Sequence, residues 1–236
     1  MKIIKVKNPQ EGIELCKNIF YEKVSKNTAL FLSGGSTPKT LYETLAKEKI
    51  LKAGAVALID ERYFSNLKSE TNEEMIRQTG LVKYLEESKT RFYPILEDKN
   101  MQDSTRDYDE TMRFVFNYFP KSIGILGVGV DGHTAGLPAG TKNSKLKTER
   151  ETELVTNFND FPAAQKERIT LTFLGLSKLD EIIVLVFGKD KKKALKLMFT
   201  HPAGLGQDAI AEIPSRFLNT KEITDKVTLI TDQNIK

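Results

Sequence analysis

Gly124-Ile125-Leu126-Gly127-Val128-Gly129-Val130-Asp131-Gly132-His133-Thr134-Ala135-Gly136 is the stretch on which the reading of the chain turns. The apolar run from Ile123 to Leu126 reads as a buried strand. It opens into glycines at 127, 129 and 132, spaced G-x-G-x-x-G. Glycines there let the backbone turn with positive φ and let a ligand approach closely. Asp131 and His133 then follow two residues apart. His133 is one of two histidines in 236 residues, and imidazole is the side chain whose unperturbed pKa lies nearest neutrality. A strand end running into such a loop is where an α/β protein places its site, beyond the carboxyl ends of the strands.

The same glycine spacing is the dinucleotide-binding fingerprint, but that motif needs a helix starting at its third glycine. Gly136, Pro138 and Gly140 would break that helix early, so nucleotide binding is disfavoured. The plain alternative is a structural turn with His133 on the surface, and the rest of the chain weighs against it.

Outward from this stretch, apolar strands alternate with amphipathic helices. On the N-terminal side lie a short first strand at Ile3 to Val6, a helix capped by Asn8 with Pro9 at its first position, and a strand at Thr28 to Leu32. Further strands are expected at Ala55 to Ile59 and Arg91 to Ile95. A capping box at 71–74 opens one helix, and an amphipathic helix covers Asp103 to Phe119. On the C-terminal side, residues 141–150 and 158–167 read as loops, Arg168 to Phe173 as a period-two strand, and Ile182 to Phe187 and Val227 to Ile230 as strands. This alternation predicts a Rossmann-like α/β fold, a mostly parallel sheet with helices on both faces. No strong linker divides residues 1–236, so a single domain is expected.

Ser33-Gly34-Gly35-Ser36-Thr37-Pro38 lies between the Thr28–Leu32 strand and a helix expected to begin at Pro38. A glycine-rich turn at a helix N-terminus makes an anion site, because free N–H groups and the positive end of the helix dipole point the same way. Ser36 and Thr37 add hydroxyl donors. It is not a Walker A loop, since no Lys-Ser/Thr follows the glycines. Lysines at 189 and 191–193 precede another helix, where positive charge is unfavourable unless an anion sits nearby. Asp60-Glu61-Arg62 ends a strand, where a surface salt-bridge cluster is the ordinary expectation. His201 precedes a proline at a helix end and carries no expected catalytic role.

Composition narrows the partners. The net charge of +4 comes from 36 basic and 32 acidic residues spread along the chain, which is not a nucleic-acid-binding stripe. Cys16 is the one cysteine; it lies on the apolar face of a predicted helix and reads as a buried, inert thiol. No apolar run approaches the roughly 18 residues of a membrane span, and the N-terminus lacks a signal-peptide pattern. A cytoplasmic protein with a small-molecule substrate is expected, with no nucleic-acid or membrane partner. The sequence carries no signal of oligomeric state. Asp131 and His133 are too few ligands for a catalytic zinc, which takes three protein groups.

With these residues placed, the chain resembles the 6-phosphogluconolactonase family, within the wider glucosamine-6-phosphate isomerase/deaminase superfamily. The resemblance rests on Ser-Gly-Gly-Ser-Thr-Pro at 33–38, Asp-Glu-Arg at 60–62, Asn72, Gly-Val-Gly-Val-Asp-Gly-His-Thr-Ala at 127–135, Arg-Ile-Thr at 168–170 and Gly-x-x-Lys at 188–191, all in the family's order. It implies a Rossmann-like domain with no organic cofactor and no metal. The implied reaction is hydrolysis of 6-phospho-D-glucono-1,5-lactone to 6-phosphogluconate, in the pentose phosphate pathway. It also implies that His133 is the general base, oriented by Asp131, with Arg62 positioning the substrate or stabilising charge. Gly35, Ser36, Thr37, Arg168 and Lys191 would hold the phosphate, with Gly34 and Asp60 as further substrate-binding candidates.

After Thr134-Ala135 the family usually continues Ser-Leu-Phe-Pro-Gly, whereas this chain has Gly136-Leu137-Pro138-Ala139-Gly140. The deaminase branch typically continues His-Ile-Ala-Phe-Asn-Glu-Pro-Gly, with a carboxylate after the histidine. Residues 134–140 contain neither Asp nor Glu, which favours the lactonase over a deaminase. The third reading is a non-catalytic sugar-phosphate-binding module, which would need neither the base nor Arg62.

Overall fold

Short runs of Val, Ile, Leu and Ala become the strands of one parallel sheet, which the computed structural model describes over residues 1–63, 70–140, 152–200 and 206–235. In chain order, the first half comprises β1 (Lys2–Lys5), α1 (Pro9–Lys23), β2 (Thr28–Leu32), α2 (Ser36–Glu48), β3 (Ala55–Leu58), β4 (Asp60–Arg62), α3 (Asn72–Gln78), α4 (Leu81–Glu87), β5 (Arg91–Tyr93) and α5 (Met101–Tyr118). The second comprises β6 (Lys121–Leu126), β7 (Val155–Phe158), β8 (Arg168–Leu171), α6 (Phe173–Ser177), β9 (Glu181–Val186), α7 (Lys192–Phe199), α8 (Gln207–Glu212) and β10 (Val227–Thr231). The expectations for residues 141–150 and for His201 lie outside the described residues.

The large sheet has the order β1-β10-β9-β6-β2-β3-β5, with every pairing parallel. β2 and β3 are buried along their whole length, as strands covered on both faces must be. The steps β1 to β2, β2 to β3 and β3 to β5 cross the sheet one way; those from β5 to β6, β6 to β9 and β9 to β10 cross it the other way. Right-handed crossovers then put α1 to α4 on one face and α5 and α7 on the other. Packing agrees: α1 lies against α2 and α2 against α4, while Phe116 of α5 stacks on Phe31 of β2 at 4.8 Å. Cys16 is fully buried in this core, and burial pushes its thiol pKa far up.

Helix starts follow their caps. Asn8 accepts from Glu11 N (2.9 Å) before Pro9. Thr71 accepts from Glu74 N (3.0 Å). α5 begins at Met101, two residues before its expected start, because Asn100 caps it by accepting from Asp103 N (2.9 Å). Phe173 is not the end of a strand: Thr172 Oγ1 accepts from Gly175 N (3.0 Å) and starts α6 there. α4 and α8 have no counterpart in the sequence reading. Among the described residues no helix is long and apolar enough to cross a membrane.

The addition to the expected fold is a second, antiparallel sheet of order β4-β8-β7. It grows out of the first. Ile59, just past β3, donates to Leu32 O of the large sheet (2.8 Å) and accepts from Leu171 N of the small one (2.8 Å). The small sheet therefore sits over the carboxyl ends of the parallel strands.

Candidate active site

β2 and β6 are neighbours in the large sheet, with Phe31 opposite Gly124, and their onward connections leave in opposite directions. This is the topological switch point, where open α/β sheets open a crevice. The Ser33–Thr37 turn leaves one side of it and the Gly127–His133 loop leaves the other.

The histidine loop is a closed turn. Gly129 N donates to His133 O (2.9 Å), Gly132 N donates to Gly129 O (3.0 Å), and Thr134 Oγ1 donates to Gly127 O (2.9 Å). Inside it, His133 Nδ1 lies 2.6 Å from Asp131 Oδ1, which also accepts from His133 N (3.1 Å). A Cβ on Gly129 would sit 2.1 Å from the His133 ring, so only glycine leaves room for the imidazole to fold back onto Asp131. Burial alone would raise the Asp131 pKa, but the hydrogen bond and charge of His133 hold it below the usual carboxylate value. A carboxylate on Nδ1 fixes the tautomer that carries its proton there and leaves Nε2 as the free lone pair. No helix follows Gly132; the chain turns at Thr134 and Leu137 instead, as the breakers at 136, 138 and 140 require.

Asp60, Glu61 and Arg62 are not a surface salt-bridge cluster. They form β4 and pair with Thr170, Ile169 and Arg168. Asp60 is 8% exposed and Glu61 fully buried. Burial raises the Asp60 pKa, against the influence of Arg168 and His133, a hydrogen bond from Asn72 and the charge of Arg62; Asp60 also lies against the histidine loop, its Cβ 3.4 Å from where a Cβ on Gly136 would be. Arg62 and Arg168 stand directly opposite one another in the ladder. Like charges so placed are destabilising on their own, and an anion between them removes that cost. Arg168 is itself buried, which lowers its pKa, while Asp60 draws it back up.

Glu61 explains why three charged residues can make a strand. Its carboxylate accepts from Asn72 N (2.5 Å), Arg62 N (2.7 Å) and Glu73 N (2.8 Å), so it closes the N-terminus of α3. Burial nonetheless pushes its pKa up to about 8. Asn72, placed by that contact, donates Nδ2 to Asp60 O (2.9 Å) and to Asp60 Oδ2 (3.2 Å). It also lies where a Cβ on Gly34 would be, 1.9 Å from Asn72 Oδ1. The Ser-Gly-Gly-Ser turn and β4 are thus locked together through Asn72.

α2 begins at Ser36, two residues earlier than expected, because Gly35 at φ 112° turns the chain directly into the helix. Its first turn holds no acidic residue and no side chain caps it, so the N–H groups at Ser36 and Thr37 form an open anion site. Lys191 reaches the crevice from the β9 side and donates Nζ to Val128 O (3.0 Å). It therefore lies against the histidine loop; no hydrogen bond joins it to Ser36 or Thr37 among the described residues.

Two contributors lie outside the residues expected to bind or react. Thr170 Oγ1 accepts from Gly136 N (3.0 Å), and a Cβ on Gly136 would fall 2.8 Å from Thr170 Cβ and 3.4 Å from Asp60 Cβ. The departure from Ser-Leu-Phe-Pro-Gly is thus a close docking of the histidine loop on the small sheet. Phe161, in a stretch read only as loop, packs its ring against His133, with centroids 5.2 Å apart at 80°. Thr170 lies in the Arg-Ile-Thr match at 168–170, whereas nothing in the sequence marks Phe161. Among the described residues no group of three or more His, Cys, Asp or Glu is placed to hold a metal ion.

An imidazole with one nitrogen free, beside an anion-ready helix terminus and two facing arginines, can activate water against an anionic substrate. The sequence pattern of the glucosamine-6-phosphate isomerases/6-phosphogluconolactonase family matches residues 13–228. A 6-phosphogluconolactonase of Nostoc sp. is 33% identical over 194 residues, 79% of this chain and 75% of the relative. A glucosamine-6-phosphate deaminase of Ligilactobacillus salivarius is 26% identical over 209 residues, 86% of this chain and 88% of the relative. The structure of 6-phosphogluconolactonase from Plasmodium vivax superposes with a TM-score of 0.78 at 21% identity, over 99% of this chain and 91% of that one; that likeness is one of fold.

Proposed function

The chain belongs to the glucosamine-6-phosphate isomerase/6-phosphogluconolactonase family, and on that premise we propose that it hydrolyses 6-phospho-D-glucono-1,5-lactone to 6-phospho-D-gluconate. The observation that carries the reading is the His133–Asp131 pair at 2.6 Å, with the Arg168 guanidinium over the Phe161 ring that packs against His133. It is a single α/β-domain enzyme of the cytoplasm that acts on a sugar phosphate lactone.

The phosphate docks on the N–H and hydroxyl groups of Ser36 and Thr37 beside Gly35, with Arg168 and Lys191 completing its charge. His133 Nε2 takes a proton from water as the water oxygen bonds to the lactone carbonyl carbon. Asp131 stabilises the imidazolium that results. Arg62 faces the developing alkoxide. Collapse breaks the bond to the ring oxygen, which takes the proton back from His133, and the acid product leaves. A positioned general base supplies about 10²–10⁴-fold, and positioned donors on the oxyanion on the order of 10²–10³-fold more. Gly34 and Asp60, joined through Asn72, shape the floor on which the sugar lies.

A deaminase needs a second base near C2. Residues 134–140 offer none, and Asp60 has Asn72 on its carboxylate. The test is to add freshly made lactone and, in a separate reaction, glucosamine 6-phosphate. Acid release from the first above the spontaneous rate, and no ammonia from the second, is the expected result. Ammonia release that Asp60→Asn abolishes would replace the lactonase with the deaminase.

A further inference from the structure

Phe161 joins two groups that the proposed reaction uses for different purposes. Its ring stands edge-on to His133, with centroids 5.2 Å apart at 80°, and the Arg168 guanidinium carbon lies over the same ring, 4.6 Å from its centre. Phe161 is 4% exposed, so both contacts are made away from bulk water. The backbone holds it firmly: Phe161 N donates to Lys166 O (3.0 Å), Ala163 N donates to Phe161 O (2.8 Å), and the turn so closed runs directly into Glu167 and Arg168.

Each partner is hydrogen-bonded at one edge and rests against the Phe161 ring at another. His133 is tied at Nδ1 to Asp131, which fixes that nitrogen and leaves the ring free to tip about it. Among the described residues the Arg168 guanidinium makes one hydrogen bond, Nη1 to Glu167 O (3.2 Å), so its plane is set by what it stacks on. Guanidinium groups stack on aromatic faces and are pre-organised by doing so, and edge-on aromatic pairs resist tilting.

We infer that Phe161 is a positioning residue that, through one ring, holds both the general base and the phosphate-binding arginine in place. This rests on the lactonase reading above. It predicts a pattern that loop packing would not give: loss of the ring raises KM through Arg168 and lowers kcat through His133, both in folded protein.

The experiment measures kcat and KM on freshly made 6-phosphogluconolactone for wild type, Phe161→Leu and Phe161→Tyr, alone and combined with Arg168→Gln. Phe161→Leu is expected to raise KM and lower kcat roughly 3- to 10-fold each, the scale of one cation–π contact and one aromatic pair. Phe161→Tyr, which keeps the ring, recovers most of both. In the Arg168→Gln background, Phe161→Leu no longer raises KM but still lowers kcat. Phe161→Met serves the same purpose if the leucine variant does not fold. Kinetics within twofold of wild type in folded Phe161→Leu, or a loss of kcat that only tracks the folded fraction with KM unchanged, would overturn the inference alone. Wild type that hydrolyses the lactone no faster than buffer would overturn the functional reading and the inference with it.

Discussion

The two sheets solve different problems. The large one is parallel and apolar, with β2 and β3 wholly buried, and it offers the crevice at its switch point. The small one is antiparallel, three strands of order β4-β8-β7, and carries buried Asp60, Glu61 and Arg168. The loop with the proposed base hangs from the large sheet at β6; two of the three proposed cations come from the small sheet, with Arg62 facing Arg168, and Lys191 follows β9. The lesson is a division of labour between two residues: His133, on the loop after β6, should govern turnover, and Arg168, on β8 of the small sheet, should govern grip. Gly136 N on Thr170 Oγ1 (3.0 Å) and Phe161 against His133 are where the two meet.

That division can be broken at each end. His133→Ala removes the proposed base and should lower kcat about 10²–10⁴-fold, with a Tm close to wild type because His133 is half-buried and not part of the hydrophobic core; steady-state rates corrected for spontaneous hydrolysis check it. Arg168→Gln removes a charged donor from the small-sheet side. It should raise KM roughly 10- to 100-fold, the worth of a hydrogen bond to a charged group, while kcat moves less. A comparison of phosphorylated with unphosphorylated gluconolactone sharpens this, since the variant should lose its discrimination between them.

Asn72→Ala probes the lock between the turn after β2 and β4. It leaves Asp60 O and Oδ2 without their donor, which should cost about 1–3 kcal/mol of stability in chemical denaturation and a smaller fraction of activity. Glu61→Gln should move turnover least and show itself in pH dependence. The folded-state pKa of Glu61 is raised to about 8 from an ordinary 4.5, so the folded protein holds this proton where the unfolded chain has lost it. The group's contribution to stability is full below about pH 4.5 and falls as pH rises through about 8. Denaturation midpoints of wild type measured across that range should decline more steeply than those of Glu61→Gln; parallel curves would show that the three backbone donors keep Glu61 ionised.

The sequence made the large sheet legible because burial on both faces leaves continuous apolar runs, as in Thr28–Leu32 and Ile182–Val186. Helix ends were readable wherever a side chain caps them, as at Asn8 and Thr71. The small sheet was hidden because β4 is Asp-Glu-Arg, three residues of low strand propensity. Their burial depends on partners far along the chain, Arg168 to Thr170, and on the N-terminus of α3. The capping box at 71–74 did announce a helix start with free N–H groups, but not that Glu61 would fill it. In the crevice, Asp131 and His133 stand out in the sequence by residue type and spacing, and their roles come from the resemblance. Phe161 does not stand out, since a ring in an irregular loop has no periodicity, and only the fold brings it between the base and the arginine.

The most direct test of the division of labour is a side-by-side determination of kcat and KM for His133→Ala and Arg168→Gln on fresh 6-phosphogluconolactone. The account predicts that the first variant loses kcat with KM near wild type and that the second raises KM with kcat largely kept. Equal losses of kcat in both variants, with KM unmoved in either, would contradict it.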